Sequence, residues 1–116
     1  MSSFNWRDYF VLAKNLLGRS DEASLRSAVS RAYYAAFCTA RNYAILKGFQ
    51  SMATGKDHQL VEQFYSGQKS AKTIATNLGR LRISRNQCDY DDAVNNLQSI
   101  VNLSMLQAKA ILQAIP

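Results

Sequence analysis

Four side chains at the end of a basic stretch suit chemistry on a phosphate: Arg85, Asn86, Asp89 and Tyr90. An arginine can stabilise the negative charge that develops on a phosphorane, and a carboxylate or a phenol can transfer a proton. Asp89 follows Arg85 by one helical turn, so its carboxylate can instead neutralise the arginine. Tyr90 lies about 140° around a regular helix from Arg85, so the two side chains meet only at a helix end or across two subunits.

The stretch that carries these residues has the pattern of a helix with one narrow stripe of residues that faces the core. At 3.6 residues per turn, the stripe contains Ile74, Leu78, Leu81, Arg85 and Cys88. Arg85 therefore stands where an apolar residue is expected. A buried guanidinium needs a carboxylate, a water-filled cleft or an anionic ligand, and Asp89 is the nearest carboxylate in the sequence.

The same stretch concentrates positive charge in a chain whose formal net charge is +6. No acidic residue lies between Glu62 and Asp89, and the basic residues of that interval are Lys69, Lys72, Arg80, Arg82 and Arg85. Such a field attracts polyanions, which makes Arg80 and Arg82 candidate binding residues. A solvated basic face has the same composition, so charge alone does not choose between the two interpretations.

Length and composition predict a single all-α domain that spans residues 1–116. The chain has 116 residues, 47% hydrophobic, with one proline and five glycines, which favours long helices. No apolar run approaches the roughly 20 residues needed to cross a membrane, so we expect a cytoplasmic protein. Cys38 and Cys88 lack metal-ligand spacing and are expected to be reduced and buried. No metal or cofactor is predicted.

Periodicity predicts five helices, one of them short. The first runs from Phe4 or Asn5 to Leu17, and the second, capped by Ser20, continues to about Lys47. The short third spans about residues 57–65, the fourth begins near Ser70, and the fifth spans about residues 91–115. The second helix carries one charge between residues 32 and 46 and should be central. Its small-residue stripe would let neighbours approach closely: Ala32, Ala36 and Ala40.

No standard catalytic constellation follows from spacing alone. His58 is the only histidine, and the chain lacks a Gly-rich phosphate loop and an HExxH pair. At the start of a helix beside Asp57, His58 is expected to serve mainly in structure, with a catalytic role as the less favoured alternative.

Three elements of the sequence together closely resemble the HEPN domain (higher eukaryote and prokaryote nucleotide-binding). They are Ser-Arg-Ala-Tyr-Tyr-Ala-Ala-Phe at 30–37, Lys-Asp-His at 56–58 and Leu-Arg-Ile-Ser-Arg-Asn-Gln-Cys-Asp-Tyr-Asp at 81–91. The resemblance covers nearly the whole chain, with the three elements in the order found in the family. It is strongest to the small prokaryotic single-domain branch. On this resemblance, Tyr34 and His58 join the candidate binding residues.

The resemblance implies an up-and-down four-helix bundle, here with one additional short helix, that forms a homodimer with a shared cleft. It also implies metal-independent cleavage of RNA and, as partner, a minimal nucleotidyltransferase in a toxin-antitoxin pair. That partner would transfer a nucleotidyl group to Tyr90. The ribonuclease motif of the family pairs an arginine and a polar residue with a histidine a few positions later. Arg85 and Asn86 match the first part, whereas Asp89 or Tyr90 occupies the place of the histidine.

Two classes of function therefore stand beside a structural alternative. The first is an RNA-directed ribonuclease that acts as a dimer, with Arg85, Asn86 and Tyr90 in the cleft and Asp89 as another possible base. The second is a non-catalytic HEPN module that binds a nucleotide, RNA or a partner protein. In the structural alternative, Arg85 and Asp89 form a buried pair that only fixes the register of the helices.

Overall fold

The computed structural model describes residues 3–116, and within this range the chain is all-α, as predicted. It contains five helices: α1 (Asp8–Leu17), α2 (Glu22–Leu46), α3 (Asp57–Ser66), α4 (Lys72–Tyr90) and α5 (Leu97–Ala114). None of these helices combines the length and the apolar character that a membrane crossing requires.

Helix α2 is the central element, because it contacts each of the other four helices. Its predicted small-residue stripe is fully buried, at Ala32, Ala36 and Ala40. Side chains this small let the neighbouring backbones approach closely and leave little free volume in the core. Tyr33 and Phe37, on the same helix, are also buried and place aromatic rings between α2 and its neighbours.

The predicted stripe on α4 is confirmed. The buried residues of this helix are Ile74, Leu78, Leu81, Arg85 and Cys88. Arg85 thus extends from the same face as the core leucines, towards α2. The two cysteines of the chain, Cys38 and Cys88, are buried and free, as expected.

The starts of the first two helices differ from the prediction. Helix α1 begins at Asp8 rather than at Phe4 or Asn5, because Asn5 forms a turn in which its carbonyl accepts the backbone N–H of Asp8. Helix α2 is capped by Asp21, whose carboxylate accepts the backbone N–H of Ser24 at 3.0 Å and its hydroxyl at 2.8 Å. Ser20 has a φ of 57° and makes no cap.

This correction leads to opposite expectations for two adjacent residues. Asp21→Ala removes the cap and should lower the melting temperature by about 5 °C. Ser20→Gly should raise the melting temperature, because glycine adopts a positive φ without the steric cost that serine bears. Thermal unfolding followed by circular dichroism measures both. A loss of stability in Ser20→Gly, with none in Asp21→Ala, would restore Ser20 as the cap.

Helix α5 begins at Leu97, so the prediction that it starts at Asp91 is wrong. Helix α4 ends before Asp91, which is extended with φ −82° and ψ 135°, and Asn96 precedes α5 in the left-handed conformation, with a φ of 57°. Asparagine is among the residues that tolerate this conformation best. Arg26 of α2 holds the connecting segment by donating to the carbonyl oxygens of Cys88, Asp91 and Asp92, at 3.3, 2.6 and 3.3 Å.

Candidate functional site around Arg85

The Arg85 side chain enters the interface between α4 and α2, where it packs against two tyrosines. The residue keeps 7% of its accessible surface. Its guanidinium carbon lies 5.2 Å from the ring centre of Tyr33 and 5.2 Å from that of Tyr34. A cation at this distance from an aromatic face is attracted by the ring quadrupole, most strongly when it is desolvated. The tyrosine pair of α2 therefore holds the guanidinium in place.

The charge of Arg85 is only partly neutralised by Asp89. The nearest atoms of the pair, Nη1 and Oδ2, are 3.6 Å apart, beyond ordinary hydrogen-bond length. The same Asp89 oxygen accepts the hydroxyl of Ser30 at 3.3 Å, and the aspartate side chain keeps 27% of its accessible surface. The buried Nε of Arg85 has no hydrogen-bond partner among the described residues. This leaves a desolvated cation with donor capacity for an anion.

His58 of α3 reaches the same cluster through Tyr33. Its Nδ1 is hydrogen bonded to the Tyr33 hydroxyl, and its ring stacks on Phe37 with 4.4 Å between ring centres. Burial, and next the positive charges of Arg85 and Arg82, lower the pKa of His58 below its usual value. The imidazole is therefore neutral at pH 7, and Nε2 is the ring nitrogen left for a ligand.

Burial raises the pKa of the Tyr33 phenol well above its usual value. Its hydroxyl consequently keeps its proton and can donate to Nδ1 of His58 or accept from it. Either direction holds the histidine ring in place without introducing another charge beside Arg85.

Two arginines that the charge pattern singled out do not join Arg85. Arg82 forms a two-pronged contact with Glu62 of α3, at 2.6 Å from Nε to Oε2 and 3.3 Å from Nη2 to Oε1. Arg80 is exposed and lies about 140° around α4 from Arg85. The acid-free interval in the sequence is thus partly neutralised in space, because Glu62 faces it from the neighbouring helix.

The other predicted site residues divide between neighbours of Arg85 and residues turned away from it. Tyr34 contacts Arg85 and Asp89 pairs with it, as described above. Asn86 is half-buried and follows Arg85 by about 100° of helical rotation. Tyr90, the last residue of α4, keeps 74% of its accessible surface. Within one chain, therefore, Tyr90 is not part of the Arg85 cluster.

Sequence reasoning missed two arginines that extend the cluster along α2. The Arg31 guanidinium lies 4.7 Å from the ring centre of Tyr9 and 5.5 Å from that of Tyr34. The Arg41 guanidinium lies 5.8 Å from the ring centre of Trp6 and 5.9 Å from that of Phe37. The signal was present in the spacing, because positions 31, 34, 38 and 41 share one face of a helix.

Within the part of the chain that the structure describes, no three histidine, cysteine, aspartate or glutamate side chains lie close enough together to hold a metal ion. No protein-family model, curated protein or solved structure matches this chain.

Proposed function

We propose that this protein is an RNA-directed, metal-independent ribonuclease of the HEPN type, with Arg85 as the contact to the scissile phosphate. The state of the Arg85 guanidinium carries the proposal. It is buried against two tyrosine rings, its Nε lacks a partner among the described residues, and its counter-ion is 3.6 Å away. A planar guanidinium in this state suits two-pronged contact with a phosphate or a phosphorane.

In this proposal, His58 takes the place of the histidine that the Arg85 motif lacks. Cleavage through the 2′-hydroxyl needs a base, and His58 has a neutral ring beside the Arg85 cluster. When Nδ1–H donates to the Tyr33 oxygen, Nε2 accepts the proton of the 2′-hydroxyl. The 2′-oxygen then bonds to phosphorus, the bond to the 5′-oxygen breaks, and that oxygen takes a proton from water. The hydroxide so formed takes the proton from the His58 imidazolium, which restores the neutral ring. The products are a 2′,3′-cyclic phosphate and a 5′-hydroxyl.

The proposal includes the architecture that the resemblance implies. Helices α1, α2, α4 and α5 would form the up-and-down four-helix bundle, with α3 as the additional short helix. A two-fold homodimer would bring Tyr90 and Asn86 of a second copy towards Arg85. The surface of α5 supports this assembly, because Leu103 and Leu106 are exposed on a helix with a single charged residue, Lys109.

The proposed partner is a minimal nucleotidyltransferase that modifies Tyr90. Two observations support this choice: Tyr90 is well exposed, and it ends α4 beside Asp91 and Asp92. Transfer of a nucleotidyl group from a nucleoside triphosphate to its hydroxyl would break the bond between the α- and β-phosphates, release pyrophosphate and place a negatively charged phosphodiester on the tyrosine. That charge would oppose the entry of RNA into a cleft centred on arginine.

The direct test is cleavage of single-stranded RNA by the purified protein in the presence of EDTA. We expect 2′,3′-cyclic phosphate products, and we expect Arg85→Lys to lower the rate by about 100-fold or more, the usual effect of losing one preorganised donor to a developing oxyanion. Lysine keeps the charge and loses the planar fork, so the comparison isolates two-pronged phosphate contact.

Arg19→Lys is the matched control, since the Arg19 side chain is exposed and pairs with Asp21 rather than with any residue of the cluster, and the rate of this variant should equal that of the unmodified protein. A rate that is the same in Arg85→Lys would remove Arg85 from the site. RNA that is bound but never cleaved would favour the second candidate function, a non-catalytic HEPN module that binds nucleotide, RNA or a partner protein. The specific observation for that alternative is that Tyr90 is turned away from Arg85 within one chain.

A further inference from the structure

A groove of about 600 Å³ opens beside the Arg85 cluster, between α2 and the segment that leads into α3. Its walls include Trp6, Tyr34, Phe37, Arg41, Thr54 and His58. Ligand pockets for small organic molecules have volumes in this range, and they combine aromatic and apolar side chains with a few polar groups. Tyr34 links the groove to Arg85, because it lines the groove and also contacts the Arg85 guanidinium.

The composition of the walls specifies the chemistry of an occupant. The walls include the rings of Trp6, Tyr34 and Phe37, and aromatic side chains are what proteins use to hold the bases of single strands. Arg41 adds a cation at the wall, with its Nε donating to Asn42 at 3.1 Å. Its guanidinium lies against the rings of Trp6 and Phe37, so its positive charge is part of the groove wall.

Hydrogen bonds centred on Asp57 give the loop wall of the groove its shape. The Asp57 carboxylate accepts the hydroxyl of Ser51 and the backbone N–H of Met52, the latter at 2.8 Å. The Ser51 oxygen in turn accepts the backbone N–H of Ala53, which has a φ of 53°. A non-glycine residue rarely adopts this conformation, so it is the contacts around Asp57 that impose this shape on the loop.

We propose that this groove is a nucleobase subsite, which holds the base of the RNA nucleotide whose 3′-phosphate contacts Arg85. The inference rests on the proposed function and names a specific part of the substrate site. Tyr34 lines the groove and also contacts Arg85, so a base in the groove and a phosphate at Arg85 would both lie next to Tyr34. His58 lines the same groove, so a base seated there brings its ribose towards the imidazole.

Trp6, the only tryptophan in the chain, makes the groove directly observable. A short 2′-O-methyl RNA has no attacking 2′-hydroxyl, so its binding can be followed by Trp6 fluorescence without any cleavage. We expect quenching on binding, because a base stacks near the indole. AMP is titrated in parallel and should bind at least about tenfold more weakly than the oligonucleotide, since it lacks the neighbouring phosphates.

The blocking variant is Gly55→Leu. Gly55 lines the groove, its φ is not positive, and an added Cβ there meets no atom within 4 Å. Leucine therefore fits the fold and occupies space that a base needs, and we expect affinity to fall at least about tenfold. Gly67→Leu is the matched control, because Gly67 lies in the turn after α3, outside the groove, and its affinity should be unchanged.

Absence of Trp6 quenching, or equal affinity in Gly55→Leu and the unmodified protein, would overturn the subsite. AMP that binds as tightly as the oligonucleotide would make a free nucleotide the ligand and overturn the assignment to an RNA strand. These results are independent of cleavage. Quenching that Gly55→Leu abolishes, in a protein without ribonuclease activity, would keep the subsite and refute the proposed function.

Discussion

Asp89→Asn is expected to lower the free energy of unfolding by about 3 kcal/mol, although the substitution preserves the shape of the side chain. The loss arises at Arg85, which is buried and has no other carboxylate within salt-bridge distance in the described residues. Removing the charge of Asp89 strands a desolvated guanidinium, and an uncompensated buried charge is among the most destabilising features of a protein. Urea denaturation followed by circular dichroism measures the change.

Glu62→Gln is the matched control, because it removes the partner of the other paired arginine on α4. The Arg82 side chain keeps 24% of its accessible surface, against 8% for Arg85, so water can compensate the stranded charge. We expect a loss of about 1 kcal/mol there. Sulfate should stabilise Asp89→Asn more than the unmodified protein, by binding to the freed guanidinium. Equal losses in the two variants would show that Arg85 is not a desolvated charge.

Tyr33→Ala is expected to lower the free energy of unfolding by about 4 kcal/mol. The Tyr33 ring is fully buried, stacks with Phe37 and packs against the Arg85 guanidinium, and its hydroxyl is hydrogen bonded to His58. Truncation leaves a cavity at the centre of α2 and removes one of the two rings that hold Arg85. Differential scanning calorimetry or urea denaturation measures the loss.

Two conservative variants separate the ring from the hydroxyl. Tyr33→Phe removes the bond to His58, and Tyr65→Phe removes the buried bond from the Tyr65 hydroxyl to the Ala40 carbonyl oxygen at 2.6 Å. Each should cost about 1–2 kcal/mol. Only Tyr33→Phe should also impair RNA cleavage, because it releases the imidazole. A Tyr33→Ala variant no less stable than Tyr33→Phe would contradict the cavity argument.

Local geometry explains the parts of the fold that the sequence predicted well. The stripe on α4 follows from the helical period alone, so the inward position of Arg85 needed no knowledge of the other helices. The central place of α2 follows similarly from its apolar surface. Pairings between distant residues were inaccessible: Glu62 with Arg82 and Tyr33 with His58 depend on how α3 packs against α4 and α2.

The start of α5 was mispredicted for a different reason. Residues 91–96 contain no glycine or proline to mark an interruption, and the break consists of an extended Asp91 and an Asn96 with a positive φ. The three carbonyl groups that Arg26 binds fix this segment against α2, a contact that a local pattern does not reveal. The same distinction applies to the candidate site. The proximity of Arg85 and Asp89 could be predicted because both lie on one helix, whereas the groove could not, because three separate segments of the chain form it.

The packing of α2 against every other helix also sets the order in which parts of the molecule can open. We expect the backbone amides of its buried centre to exchange with solvent only when the whole molecule unfolds, because opening α2 disrupts every helix interface that it makes. The loop at residues 50–56 belongs to no helix, is exposed and is held mainly by Asp57, so it can open at far lower cost. The groove therefore joins one of the most persistent surfaces of the protein to one of its most readily opened segments. A ligand bound in the groove should therefore slow hydrogen exchange in the loop and leave exchange in the centre of the helix that carries Tyr34 and Arg41 unchanged.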